Sequence, residues 1–295
     1  MALTDDDGSG SNRVAATDLT APMERAAMTD VKEKEPRAGQ IESFVRYSER
    51  AADGGWIEKN GSYSFAMEDH DAVVRNARLA DTSFETHGFT LEKHPVDIDW
   101  SNTEDFETRY YPQVCDLVKR VTGASEVFAF MGIWRGGEDE KGGGPALSAH
   151  VDFNEEALRM WIPRLAPGRE EEIGRKRLMN VNVWRGTKPV ENSPLAVCDR
   201  RSVDKGDFLR VCFGKQENGW KPGMPAGLNM AYNPNHEWYY FPDMQPDEAL
   251  VFRLFDTADP DWKFTGHTAI VDPTADPDSP RRESFEVRTI AVFDE

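Results

Sequence analysis

The chain has 295 residues, enough for one large domain or two small ones with a sizeable core. Its 35 Lys and Arg against 53 Asp and Glu leave a formal net charge of -18, which argues against nonspecific binding to nucleic acid or to an anionic membrane surface. No apolar run approaches the roughly 18 residues of a membrane-spanning helix, and the acidic start Asp5-Asp6-Asp7 is not a secretory leader. A cytoplasmic protein is therefore expected, with Cys115, Cys198 and Cys212 as free thiols, since they lack CxxC spacing.

Residues 1–40 carry few large apolar side chains and read as a disordered or loosely docked tail, with a short helix over 23–30. The remainder, 41–295, is expected to be a single domain. Ile41, Phe44, Val45 and Tyr47 suggest a short amphipathic helix over 41–51, and Ala72, Val73, Ala77 and Leu79 a second one over 67–80. The strongest helical pattern covers 106–121, where Tyr110, Val114, Leu117, Val118 and Val121 recur at three- and four-residue steps and Gly123 supplies the stop.

Beyond Gly123 the chain becomes strand-like. Short β-branched or aromatic runs occupy 126–135, 146–153, 178–185, 195–199, 207–213, 230–241, 249–256, 267–272 and 284–293, and a helical insertion falls at 154–176. This pattern predicts a mainly β fold with flanking helices, a double-stranded β-helix of the jelly-roll or cupin-like kind.

Among six histidines, only His150 is followed two residues later by a carboxylate, Asp152. On an extended strand this spacing turns both side chains to one face. His267 opens a later strand and would complete two imidazoles and one carboxylate, the facial set that leaves positions open on non-haem iron(II). His236, in a turn before Trp238-Tyr239-Tyr240-Phe241, is a rival third ligand that ranks lower, because histidine among aromatics is more often packed. Arginines on the last strand, Arg282 and Arg288, suit bidentate binding of a carboxylate near the metal. An ordinary surface pairing with Glu283 or Glu286 is the competing explanation.

Nine blocks in order carry a family resemblance: Tyr110-Tyr111-Pro112, Thr122-Gly123-Ala124, Ala149-His150-Val151-Asp152, Asn182-Val183-Trp184-Arg185, Pro194-Leu195-Ala196-Val197-Cys198-Asp199, His236-Glu237-Trp238-Tyr239-Tyr240-Phe241, Phe255-Asp256-Thr257, Gly266-His267-Thr268-Ala269 and Arg282-Glu283-Ser284-Phe285-Glu286-Val287-Arg288. From Trp56 onward the chain resembles iron(II)/2-oxoglutarate-dependent oxygenase-like proteins of fungi and bacteria. These include gibberellin desaturase-like enzymes, hydroxylase/desaturases of secondary-metabolite clusters and cephamycin-methoxylation proteins. The resemblance implies Fe(II) held by His150, Asp152 and His267, with 2-oxoglutarate and O2 as co-substrates. It also implies an Arg-x-Ser pair, Arg282 with Ser284, on the far carboxylate of 2-oxoglutarate.

Arg282 follows His267 by 15 residues, a longer interval than usual, which the segment 274–280 absorbs; Arg288 and, less so, Arg185 are the other candidates. Phe130-Met131-Gly132 stands where relatives often carry a polar residue or histidine, so the substrate pocket is expected to differ. Trp134, Arg135, Phe153, Trp184, Arg185 and Tyr239 are placed on its wall. The expected reaction oxidises a C–H bond of a small molecule by hydroxylation, desaturation or ring closure, in secondary metabolism. The alternatives are a non-catalytic, cupin-like metal or small-molecule binding protein and an iron oxygenase that does not use 2-oxoglutarate.

Overall fold

The computed structural model describes residues 37–50, 55–57, 63–136, 143–214 and 226–294. The tail expected over 1–40 falls outside these residues up to position 36, as does the helix expected over 23–30. Arg37 is tied down, donating to Asp243 Oδ2 at 2.9 Å and to Thr274 Oγ1 at 2.7 Å.

The chain opens with β1 (Gln40–Ser48), β2 (Gly55–Ile57) and β3 (Met67–Asn76). Both segments expected as helices are therefore strands for most of their length. β1 and β3 pair antiparallel from Gln40↔Arg75 to Ser48↔Met67. Their apolar residues do recur at helical steps, but the buried ones, Ile41, Val45, Tyr47 and Val74, obey the two-residue period of a pleated strand. Pairing with a distant partner, which local spacing does not report, overrides the helical pattern.

Next come a one-turn helix, α1 (Phe84–His87), the strand β4 (Phe89–Lys93), and α2 (Thr103–Asp105). A π-helical turn at Phe106–Tyr110 then leads into α3 (Tyr111–Thr122). The α3 stripe Val114, Leu117 and Val118 is buried as expected, each residue contributing roughly 1.5–3 kcal/mol. Gly123, at φ 74°, ends the helix in the left-handed conformation, its N–H donating to Lys119 O.

β5 (Glu126–Gly136) and the very short β6 (His150–Val151) follow, so the strand expected over 146–153 shrinks to two residues. The helical insertion is present as α4 (Glu155–Arg159), α5 (Ile162–Leu165) and α6 (Glu170–Gly174). The remaining strands are β7 (Arg177–Gly186), β8 (Leu195–Cys198), β9 (Phe208–Phe213), β10 (Ala226–Met230), β11 (Trp238–Tyr240), β12 (Glu248–Asp256), β13 (His267–Ala269) and β14 (Glu283–Phe293). β2, β4 and β10 were not foreseen.

Among the described residues these strands form two sheets, one in the order β1-β3-β11-β8-β13-β6-β10-β9-β2 and the other β4-β12-β7-β14-β5. The main core lies between them, joining Ala196 and Val197 of the larger sheet to Trp184, Leu250 and Phe252 of the smaller. This is the two-sheet jelly roll expected from the strand pattern. A second core, built on Tyr110, Val114, Leu117, Val118, Val181, Val183, Phe285 and Val287, seals the outer face of the smaller sheet beneath α3.

Candidate metal centre

The smaller sheet turns a polar ladder inward. On β14 the outward residues Phe285, Val287 and Ala291 join the core under α3. The alternate residues Ser284, Glu286 and Arg288, with Arg282 just before the strand, face the interior. On β7 the inward positions are Leu178, Asn180, Asn182 and Trp184, and the outward ones Met179, Val181 and Val183. Direct pairing of Arg288 with Asn182 and of Glu286 with Trp184 aligns these side chains in rows.

Across the interior, the larger sheet supplies the histidines. β6 lies between β13 and β10, and His150 pairs directly with His267. Their rings stand 4.3 Å apart between centroids. The chain leaves β6 at Asp152 and is pinned by Asn154, whose N–H donates to Ala226 O at 3.1 Å and whose side chain caps α4 by accepting from Ala157 N. Asp152 is thereby placed at the sheet end beside both imidazoles. His150 Nε2 is 3.6 Å from Asp152 Oδ1, and His267 Nε2 is 3.9 Å from Asp152 Oδ2.

One ligand atom from each of His150, Asp152 and His267 falls within 4.8 Å of the other two. The His150 Nδ1–H donates to Ser148 O at 2.7 Å, which leaves its Nε2 lone pair toward the carboxylate. Asp152 Oδ2 accepts from Asn182 Nδ2 at 2.7 Å, and Oδ1 accepts from the Arg288 guanidinium. Burial alone would raise the Asp152 carboxyl, but Arg288 and the two histidines outweigh it and hold the group well below the usual carboxylate range. Burial, and then His150, push His267 down, favouring the neutral imidazole a metal requires. Two imidazoles and an oriented carboxylate fit iron(II), and this set leaves coordination positions open.

Behind the triad, Arg288 Nε donates to Glu286 Oε1 at 3.1 Å, so Arg288 bridges Asp152 and a second buried carboxylate. Burial, and then Asp152, raise Glu286, while Arg288 opposes them. Arg282 sits farther along the ladder, donating to Ser193 O at 2.7 Å and lying 5.4 Å above the Trp184 ring. Its Nε and the Ser284 Oγ are both buried without a hydrogen-bond partner, the condition expected of groups awaiting a polar ligand. A cavity of about 20 Å³, lined by Arg135, Ala146, His150, Trp184, Leu195, His267, Arg282, Glu286 and Arg288, joins the metal ligands to these arginines. Arg282 also lines a neighbouring recess of about 370 Å³.

Of the expected pocket residues, Arg135 and Trp184 line this cavity. Phe153 lies beside it, its ring 5.0 Å below the Arg288 guanidinium. Three expectations fail. Trp134 pairs with the outward Phe285 and packs against it, Trp100 and Phe106 on the far side of the sheet. Arg185 is likewise outward, donating to His94 O and Pro246 O under the Tyr110 ring, and is available to neither substrate nor co-substrate. Tyr239 packs on Phe89 and His87 in the core, away from the cavity lining. The rival ligand His236 is a packed turn residue, bound to Tyr47 Oη and Asp207 Oδ2 and stacked on the Tyr47 ring.

Asn182 and Glu286 are the site residues that sequence reasoning passed over. Each had a signal: Asn180 and Asn182 are amides at alternate positions of an apolar run, and Glu286 continues the two-residue period of Arg282, Ser284 and Arg288.

The family model described as Oxidoreductase/YMDC permease-like domain matches residues 35–293. The chain belongs to that family. Among the curated relatives, it is 28% identical over 284 residues to the hydroxylase/desaturase efuI of Hormonema carpetanum, covering 86% of this chain and 96% of efuI. It is 29% identical over 238 residues to the Fe(II)/2-oxoglutarate-dependent dioxygenase nvfI of Aspergillus novofumigatus, covering 77% of this chain and 84% of that one. Among solved structures, a variant of the iron and alpha-ketoglutarate-dependent endoperoxidase NvfI superposes with a TM-score of 0.78 at 27% identity, over 87% of this chain and 98% of the other. The family membership and the shared fold agree with the resemblance seen in the nine sequence blocks.

Proposed function

We propose that this protein is an iron(II)/2-oxoglutarate-dependent dioxygenase that oxidises a C–H bond of a small molecule, by hydroxylation, desaturation or ring closure, in secondary metabolism. The observation that carries this reading is the convergence of His150, Asp152 and His267 within 4.8 Å, next to a buried arginine and serine with unpartnered polar atoms. The relative nvfI and the solved NvfI variant, both named as dependent on iron and 2-oxoglutarate, support it.

In this reading His150, Asp152 and His267 hold iron(II), while Arg282 and Ser284 take the far carboxylate of 2-oxoglutarate by charge-assisted hydrogen bonds. Iron, 2-oxoglutarate and O2 together supply the oxidising power when bound. The protein's own groups place and exclude. Asn182 and Arg288 fix both oxygens of Asp152, and Glu286 steadies Arg288. The second core beneath α3 stiffens the strands that carry Arg282, Ser284 and Asn182. Arg288 is thus assigned to the metal ligand rather than to the co-substrate, because its donors already meet Asp152 and Glu286. Free Cys115, Cys198 and Cys212 suit action in the cytoplasm, and no helix among the described residues is long and apolar enough to cross a membrane.

Anaerobic addition of iron(II) and 2-oxoglutarate should produce a visible charge-transfer band, and admission of air should yield succinate. Tight iron binding without the band refutes use of 2-oxoglutarate. Failure to bind iron at all leaves the non-catalytic binding protein.

A further inference from the structure

The cavity holds one more arginine than the proposed roles use. Arg135 lies on β5 directly opposite Ser284 of β14, so the two side chains share the inward face and the same row. It lines the cavity together with His150, His267 and Arg282. Among the described residues its side chain makes no hydrogen bond or ion pair. By contrast, Arg288 has two carboxylate partners and Arg282 a backbone carbonyl. Arg135 and Arg282 are close enough to oppose each other: burial, and then Arg135, push the Arg282 guanidinium down to about 10. Glu286, the acid of this cavity, offsets that opposition only in part and is itself held by Arg288, so the two cations gain from an anion that a ligand supplies.

The level of Arg135 along the sheet indicates which ligand. The Arg288 row, beside Asp152, and the Ser284 row are four residues apart on β14, about 13 Å along a strand. A diacid bound to the metal by its keto-acid end, with arginine side chains reaching back toward it, bridges that interval. A substrate that meets the metal at its reacting carbon has no need of the Ser284 row. We infer that Arg135 is a second co-substrate arginine, closing with Arg282 and Ser284 a two-arginine cradle around the distal carboxylate of 2-oxoglutarate. This rests on the proposed use of 2-oxoglutarate and adds to it a residue on another strand, outside the Arg-x-Ser pair. In the cradle each oxygen of the distal carboxylate meets its own guanidinium, and the repulsion between the arginines becomes shared attraction to one anion.

The test compares two keto acids with the same metal-binding head. Iron(II)-loaded wild type, Arg135→Met and Arg135→Lys are titrated without oxygen, following the charge-transfer band, with 2-oxoglutarate and with 2-oxobutanoate, which lacks the distal carboxylate. Arg135→Met is expected to weaken 2-oxoglutarate binding about tenfold or more, as for a lost hydrogen bond to a charged group, and to leave 2-oxobutanoate unchanged. Arg135→Lys should recover part of the loss. An unchanged affinity for 2-oxoglutarate overturns the inference, as does an equal weakening of both acids, which marks a merely structural role. A wild type that gives no band with either acid overturns the parent reading as well, so the two failures are told apart.

Discussion

A Cβ built on Gly136 would stand 1.9 Å from the carbonyl oxygen of Arg282, so the end of β5 and the start of β14 meet at a distance that only glycine permits. Gly136 also has φ +84°, a conformation that other residues adopt at a cost. Gly136→Ala should therefore destabilise the fold by about 1–3 kcal/mol and push Arg282 away from the cavity. The expected outcome is weaker binding of 2-oxoglutarate with iron affinity nearly unchanged, because the metal ligands sit on other segments. Titration of both ligands, alongside denaturant unfolding, checks it; equal losses for the two would contradict it.

The choice between His267 and His236 as third ligand is open to direct measurement. His150→Ala and His267→Ala should each abolish tight iron(II) binding and succinate formation. His236→Ala should retain iron binding while losing stability, since its ring is stacked on Tyr47 and bonded to Asp207. Full activity in His150→Ala would remove the proposed centre.

Asn182 touches no metal in the proposed site, yet it fixes one oxygen of the liganding carboxylate at 2.7 Å. Groups of this kind typically account for about 10- to 100-fold in metal affinity. Asn182→Ala should show a loss of that size by competition with a chelator, while Asn182→Asp, which places a second negative charge against Asp152, should disturb folding. A wild-type iron affinity in Asn182→Ala would show that Arg288 alone orients Asp152.

Acidification should weaken the fold before its carboxylates are reached. His94 is pushed down to about 4 by burial and then by Arg185, and burial also lowers His87 and His236. The unfolded chain, with histidines near 6.5, takes up protons that the native state refuses, so stability falls as pH drops from about 6.5 toward 4. His94 alone should contribute up to about 3 kcal/mol across that window. Denaturation midpoints at pH 7.5, 6 and 5 measure the slope. His94→Gln should flatten it, and a flat wild-type profile would refute the assignment.

His150 and Asp152 of the proposed centre were legible because their signal is local. Two residues of spacing on a strand bring His150 and Asp152 together, and the jelly roll follows from a series of short strands between turns. What stayed hidden depends on distant partners. β1 and β3 read as helices because nothing within 41–51 or 67–80 announces the nine-residue register that joins them. Parity was the other blind spot: Trp134 and Arg135, or Trp184 and Arg185, are neighbours on opposite faces, and only the sheet decides which looks inward. On β5 even the alternation breaks. Thr289 pairs with Ala129 and Arg288 with Met131, leaving Phe130 as a bulge. That bulge lets Phe130 pack inward on Phe153 and Trp161.

The strict alternation along β14 has a consequence for how the chain finds its fold. A slip of one residue against β7 would press Arg288 and Glu286 into the apolar layer under α3 and present Phe285 and Val287 to the proposed metal centre. Buried and unpaired there, the charges would cost several kcal/mol, so misaligned pairings are rejected as the sheet assembles. The residues that hold the ligands thus also proofread the strand that carries them, and a single-residue insertion in β14 would lose catalysis and correct assembly in one stroke.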